Sequence, residues 1–314
     1  MRIIQKYSQW MFLLLFFGFV ALAAILFFHG QLFTESRVLD AINWEERVEK
    51  VKSVCDSMPV FLPSPPQLQQ TNLNESLDES ALNVFGKELV LNIVRIPALN
   101  LDWCLVPKVA SSSLSKLFLP YLPATKDTDA SYVQMELWQR AGHLSLKQFY
   151  SSKNIRFLIS RHPFARLISA YRNKLENRTR NEYFFNQYSK QIIKLSRGTV
   201  EDNSSEPTFP EFVKFLLNTD ITVDDEHWQP ISLRCRLCQL EFTHILRYED
   251  LSTDWEFFKQ ELNLPSSIVL PWDNRGNQGI QSEYLKLISR EDLEKLRKRY
   301  ESDFLMFGYN IEEF

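Results

Sequence analysis

Glycine is scarce in this chain, with 8 among 314 residues. Their positions form neither G-x-G-x-x-G nor G-x-x-x-x-G-K-[ST], so the standard dinucleotide and Walker phosphate loops are excluded and a phosphate site needs another design. A surplus of basic charge is also lacking. The 36 Lys+Arg against 39 Asp+Glu leave a formal net charge of −3, which argues against general nucleic-acid binding. Cysteine is limited to Cys55, Cys104, Cys235 and Cys238. No second pair with metal-ligand spacing accompanies Cys235-x-x-Cys238, so disulfides are favoured over zinc, with the pairing open. With 45% hydrophobic and 24% charged residues, the composition is that of a globular protein rather than a disordered or collagenous one.

Long apolar runs are absent except at one place. Met11 to Phe28 is an uninterrupted apolar stretch of 18 residues, enough for a helix to cross a bilayer core. Arg2 and Lys6 precede it, and basic flanks stay cytoplasmic, which predicts a type II protein with its bulk on the lumenal side. A cleaved signal peptide is the rival, but the run outlasts the Ala21-Leu22-Ala23 site and exceeds the usual core. Sequons at Asn74, Asn177 and Asn203 and the even cysteine count fit a secretory-pathway glycoprotein. The resulting division is a tail (1–10), a signal anchor (11–28), a stem (29–95) and a lumenal domain (96–314). The stem combines a charged, helix-compatible stretch from Val38 to Val54 with the Pro-rich Pro59 to Pro66 and a polar run, a composition that suits a spacer.

Within the lumenal domain, short apolar runs alternate with helical patterns. Strands are predicted at Leu101 to Val106, Ile155 to Ser160 and His244 to Tyr248. Helices are predicted at Ser111 to Leu119, Pro163 to Glu176, Phe209 to Leu217, Trp255 to Glu261 and Arg290 to Tyr300. This alternation favours an α/β domain with a central parallel sheet flanked by helices, whose ligands gather at the carboxyl ends of the strands.

Two segments at such ends carry chemistry. In Val106-Pro107-Lys108-Val109-Ala110-Ser111-Ser112-Ser113-Leu114, a lysine and small residues open a helix, where free N–H groups hold an anion and Lys108 adds a point charge. An ordinary N-cap cluster beside a solvated lysine is the plainer alternative. In Arg161-His162-Pro163-Phe164-Ala165-Arg166-Leu167-Ile168-Ser169-Ala170-Tyr171-Arg172, proline at the first helical position leaves Arg161 at the strand end, with Ser169 on roughly the same face about two turns on. Charge is concentrated here. Lys153 to Arg197 holds 11 basic and 2 acidic residues, leaving 25 basic and 37 acidic for the rest of the chain, so one basic face on an acidic body can attract anionic partners.

These two segments resemble the donor-binding motifs of Golgi carbohydrate sulfotransferases, specifically the chondroitin/dermatan 4-O-sulfotransferase type. Further landmarks follow in order: Tyr188-Ser-Lys-Gln-Ile-Ile-Lys, Glu226-His227-Trp228-Gln229-Pro230, Cys235-Arg-Leu-Cys238, Arg247-Tyr248-Glu249-Asp250-Leu251 and Asp303-Phe304-Leu305-Met306-Phe307-Gly308-Tyr309. The resemblance implies a P-loop-like sulfotransferase fold and 3′-phosphoadenosine 5′-phosphosulfate as donor. It implies that Lys108 with the backbone of Val109, Ala110, Ser111, Ser112 and Ser113 holds the 5′-phosphosulfate, and that Arg161 and Ser169 hold the 3′-phosphate. It also implies a Golgi membrane location and a glycan acceptor, with the 4-hydroxyl of N-acetylgalactosamine in a chondroitin/dermatan-type glycosaminoglycan as the expected target. Negative charge builds on the leaving oxygen during sulfuryl transfer, and a cation with aimed N–H donors stabilises it without requiring a metal. One departure stands out. Where the family usually continues Pro-Lys-Val with Ala/Gly, Cys, Thr, Asn, Trp, this chain has Ala110-Ser111-Ser112-Ser113-Leu114.

The attacking hydroxyl must lose its proton, for which neutral histidine is suited. In related uronyl sulfotransferases the base lies between the two donor motifs, which selects His143, with His227 as the alternative. His244, in an apolar strand, reads as structural, and His162 beside Arg161 prefers the neutral form. Two other functions fit parts of the sequence. A glycosyltransferase could use the Asp127-Thr128-Asp129 triplet, and an inactive membrane-anchored glycan-binding homologue would account for the altered loop.

Overall fold

The computed structural model describes residues 44–58, 87–124, 133–142, 144–200, 205–270 and 280–310. The apolar run Met11 to Phe28, Asn74, Asp127, Asp129, His143 and Asn203 lie outside the described residues. Among the described residues no helix is long and apolar enough to cross a membrane.

Helix α1 (Trp44–Ser57) precedes a four-stranded sheet in the order β1 (Ile93–Ile96), β2 (Leu101–Cys104), β3 (Ile155–Ser160) and β4 (His244–Arg247). The sheet is mixed, which corrects the expectation of a parallel one. Strands β2, β3 and β4 are parallel, whereas β1 runs antiparallel to β2 with Arg95 opposite Asp102. The reason is the connection. Between β1 and β2 there is only the 3-10 turn Pro97–Leu99 and Asn100 at φ 50°, whereas a parallel pairing needs a crossover of a dozen or more residues. The pairing is latched by Arg95, whose Nε and Nη2 each donate to the buried Asp102 carboxylate at 2.7 Å.

Helix α2 (Ser111–Phe118) follows β2. Helices α3 (Val133–Ala141) and α4 (Leu146–Ser151) lie before β3, and α5 (Pro163–Lys174) follows it. The chain then runs through the π-helical turn Phe185–Ser189 into α6 (Lys190–Arg197), α7 (Phe209–Leu217) and α8 (Ile231–Arg234). After β4 come α9 (Leu251–Glu261), α10 (Ile280–Leu285), α11 (Arg290–Arg299) and α12 (Glu301–Phe307). One sheet face is filled by aromatic rings. Trp103 stacks on Phe157 at 5.9 Å, and Phe157 meets Phe258 of α9 at 4.6 Å and Phe118 of α2 at 6.2 Å. Burying each such side chain contributes roughly 1.5–3 kcal/mol, so α2 and α9 are held against the strands that carry the site.

The composition of the segment containing α1 suits a spacer, yet α1 is docked. Arg47 donates to both carboxylate oxygens of the fully buried Asp254, at 2.6 and 3.2 Å, and to the β4 carbonyl of Ile245 at 2.8 Å. The Cys55–Cys238 disulfide adds a covalent link, and Cys104–Cys235 joins the end of β2 to the end of α8. Cys235 and Cys238 therefore belong to two different bridges. Asp254→Ala is expected to lower unfolding stability by about 3–5 kcal/mol, because it leaves a partly buried guanidinium without its carboxylate. The urea midpoint of the purified protein measures it, and a change below about 1 kcal/mol would mean that this ion pair does not hold α1.

Candidate active site

The site is built at the carboxyl ends of the three parallel strands, where β2 runs into the Lys108 loop, β3 into Arg161 and β4 into Tyr248. In the loop, Lys108 has φ 72° and Ala110 φ 67°, with Val109 between them on the ordinary side. Left-handed backbone at a non-glycine residue is strained and persists only where the surroundings enforce it. Alternating backbone of this kind is the pattern that builds anion-binding nests. Helix α2 continues from it with no side-chain cap on its N-terminus, so the first-turn N–H groups of Ser111, Ser112 and Ser113 are added to the same end.

The enforcement comes from arginines. Arg234 Nε donates to the Leu105 carbonyl at 2.8 Å, Arg166 Nε to that of Pro107 at 3.0 Å, and Arg161 Nη1 to that of Lys108 at 2.6 Å. All three side chains are buried, at 7%, 2% and 5% exposure. Drawing the carbonyls toward the guanidiniums leaves the amides facing the opposite way. Arg161 also lies over the Tyr248 ring at 4.1 Å, no carboxylate pairs with it among the described residues, and its buried Nε has no hydrogen-bond partner.

Lys108 is half-buried and donates to Asn173 Oδ1 at 2.6 Å. Burial, reinforced by the charges of Lys174, Arg161 and Arg166, pushes its ammonium down to about 7. At neutral pH it is therefore only partly charged, and an anion placed against it would restore the proton. Ser111 and Ser113 are buried, Ser112 Oγ accepts from Gln134 Nε2 at 2.6 Å, and Leu114 is fully buried. The departure at 114 thus falls on a packing position. Ser169 is half-buried on α5, eight residues beyond Arg161.

The histidines differ sharply. His244 Nε2 is bound to Glu261 at 2.7 Å and its Nδ1 to Thr243 Oγ1 at 2.8 Å, a satisfied strand residue. His162 is buried with Nε2 at 3.0 Å from the Asn310 carbonyl, and burial pushes it down to about 4. His227 stands in the loop 224–230, its Nδ1 at 2.7 Å from Asp225 Oδ1. This loop is tied to the Lys108 loop by the same arginines. Arg166 reaches the carbonyls of Gln229 and Glu226 at 2.7 and 2.9 Å, and Arg234 Nη2 reaches Glu226 Oε2 at 2.8 Å.

The sequence singles out Lys108, the 109–113 backbone, Arg161, Ser169 and His143, the last outside the described residues, and does not single out Arg234, Asn173, Lys174 or Asp225. Arg166 could have been found from its repeat of charge inside an apolar helix start, and Asp225 from its position two residues before a histidine. Arg234 carries no local signal. Arg166→Ala leaves three carbonyls without their donor, each worth about 1–3 kcal/mol when unsatisfied. It should destabilise the fold by roughly 3 kcal/mol or more in thermal or urea unfolding. A loss below about 1 kcal/mol would contradict the clamp.

A lysine and a helix N-terminus, with a buried arginine whose Nε lacks a partner beside them at the strand ends of an α/β sheet, define an anion-binding class of protein. The "Sulfotransferase family" model matches residues 92–310, and the chain belongs to that family. Curated relatives include carbohydrate sulfotransferase 14 of Danio rerio, 28% identical over 67% of this chain and 59% of its own length. Carbohydrate sulfotransferase 12 of Xenopus laevis is 29% identical over 66% and 57%, and carbohydrate sulfotransferase 11 of Mus musculus is 27% identical over 68% and 66%. The matched region thus spans about three fifths of these relatives' length. No solved structure matches the chain.

Proposed function

We propose that this protein transfers the sulfuryl group of 3′-phosphoadenosine 5′-phosphosulfate to a sugar hydroxyl of a glycan. The proposed acceptor site is the 4-hydroxyl of N-acetylgalactosamine in a chondroitin/dermatan-type glycosaminoglycan. Lys108 and the backbone of Val109, Ala110, Ser111, Ser112 and Ser113 bind the 5′-phosphosulfate, and Lys108 stabilises charge on the bridging oxygen as the S–O bond breaks. Arg161 and Ser169 bind the 3′-phosphate. Met11 to Phe28 anchors the chain as a type II protein of the Golgi membrane, with the domain lumenal.

The observation that carries this reading is the paired cradle. One end is a half-neutral lysine above a nest of N–H groups, and the other is a buried arginine whose Nε lacks an acceptor. Both gain from a ligand with separate anionic groups, as the donor has. Membership of the sulfotransferase family and the names of the relatives support sulfate as the transferred group and carbohydrate as the acceptor class.

Four measurements test this. Labelled sulfate from the donor should appear in a chondroitin or dermatan acceptor incubated with the purified chain, with disaccharide digestion locating it. Lys108→Ala should reduce that transfer about a hundredfold to a thousandfold, and retention of full rate would remove the loop from the site. Arg161→Ala should weaken binding of 3′,5′-adenosine bisphosphate by tenfold or more, about 1.4 kcal/mol, and unchanged affinity would remove the 3′-phosphate assignment. The pH dependence has a definite sign. The free protein holds Lys108 near 7 and the bound anion favours its charged form, so binding takes up a proton above about pH 7. Affinity for the bisphosphate should therefore fall with rising pH by up to about tenfold per unit, a slope that Lys108→Ala abolishes.

A further inference from the structure

We infer that His227, oriented by Asp225, is the group that takes the proton from the acceptor hydroxyl; this rests on the sulfuryl-transfer reading above. The placement comes from the buried arginines. Arg166 holds Pro107 of the Lys108 loop and both Glu226 and Gln229 of the His227 loop, and Arg234 holds Leu105 and Glu226. His227 thereby stands on a segment whose backbone on either side, at Glu226 and Gln229, shares one guanidinium with Pro107, the residue before Lys108.

The ring is also set in one state. Asp225 Oδ1 accepts from the His227 backbone N–H at 3.0 Å and from Nδ1 at 2.7 Å, and Asp225 Oδ2 accepts from Tyr188 Oη at 3.0 Å. A carboxylate only accepts, so the neutral ring carries its proton on Nδ1 and its lone pair on Nε2. The Phe184 ring stands perpendicular to it, with centroids 5.3 Å apart. The backbone on either side is anchored. Arg299 binds Asp224 at 2.9 Å, Tyr300 Oη donates to the Trp228 carbonyl at 2.6 Å, and the buried Asp303 accepts from the N–H groups of Ile231 and Ser232 at 2.7 and 2.8 Å. Such support is what a general base requires.

The step balances without another reactant. The acceptor oxygen forms a bond to sulfur as the sulfur's bond to the bridging phosphate oxygen breaks. Its proton passes to His227 Nε2, and that bonding pair stays on oxygen. The leaving 3′,5′-adenosine bisphosphate carries the charge toward Lys108 and the nest. The imidazolium so formed keeps its Nδ1–H bond to Asp225, which stabilises it. Around His227 the charged and titratable groups are Asp225 and Glu226 of its own loop, Lys174 of α5, Tyr188 of the π-helical turn and Arg234 of α8. Lys174 lies over the Phe184 ring at 4.4 Å. Burial lowers the histidine, Lys174 acts in the same direction, and the two carboxylates oppose them.

The full chain is assayed for sulfate transfer alongside calorimetric binding of 3′,5′-adenosine bisphosphate. His227→Ala and His227→Gln should lower kcat by about a hundredfold to ten-thousandfold, with bisphosphate affinity unchanged within a factor of about three. They should also erase the acidic limb of the kcat–pH profile, which in the wild type lies below the ordinary histidine range near 6.5. Asp225→Asn, a positioning variant, should lower kcat less and move that limb to still lower pH, because it removes the charge that favours the imidazolium. The inference falls if the His227 variants keep wild-type kcat. It falls equally if bisphosphate affinity drops in parallel with kcat, the mark of a structural histidine, or if His143→Ala alone removes the acidic limb. A wild-type chain that binds the bisphosphate yet transfers no sulfate to any glycosaminoglycan would overturn the underlying reading instead.

Discussion

Two buried arginines hold this site together. Arg166 and Arg234 each bridge the loop after β2 and the loop that carries His227, Arg166 through three backbone carbonyls and Arg234 through the Leu105 carbonyl and the Glu226 carboxylate. A guanidinium removed from water needs its donors satisfied in a fixed planar pattern, so it organises whatever acceptors surround it. Carbonyls drawn inward leave amides turned outward, and strained backbone at Lys108 becomes tolerable because its own oxygen is engaged by Arg161. Glycine-rich loops reach a similar end by backbone freedom. This chain reaches it by clamping, which is consistent with its few glycines.

The same arrangement sets the electrostatics. Arg161, Arg166 and Lys174 surround Lys108 and, together with burial, hold its ammonium down. The protein thus maintains a concentrated positive potential that an anionic ligand relieves, while the acidic remainder keeps the whole chain near neutrality. The framework outside the site is covalent as well as packed. Cys104–Cys235 lies next to the Arg234 to Leu105 hydrogen bond, so the bridge and the guanidinium fix the same two backbone segments.

Much of this was legible beforehand, and the exceptions have identifiable causes. Strand β3 and helix α7 begin and end as their apolar patterns require, and α5 starts at Pro163 because proline fits the first helical turn. Strand β1 was missed since four residues beside a polar stretch carry too little pattern, and its direction follows from a short turn rather than from its own side chains. Helix α1 looked like spacer because its docking depends on Arg47 meeting Asp254, 207 positions away. No local window contains both partners.

The sequence by itself determined the chemistry on offer: a lysine loop and an arginine motif at strand ends, small residues in place of glycine, an even set of cysteines and a basic segment within an acidic chain. Only the tertiary structure decided which cysteines pair, that the sheet is mixed, that Leu114 is a packing residue, and that His227 rather than His162 or His244 shares its arginine anchors with Lys108. The mixed sheet follows from the short turn between β1 and β2. The other three depend on contacts between residues far apart in the chain, whose cost in ordering is met only when the whole core closes around them.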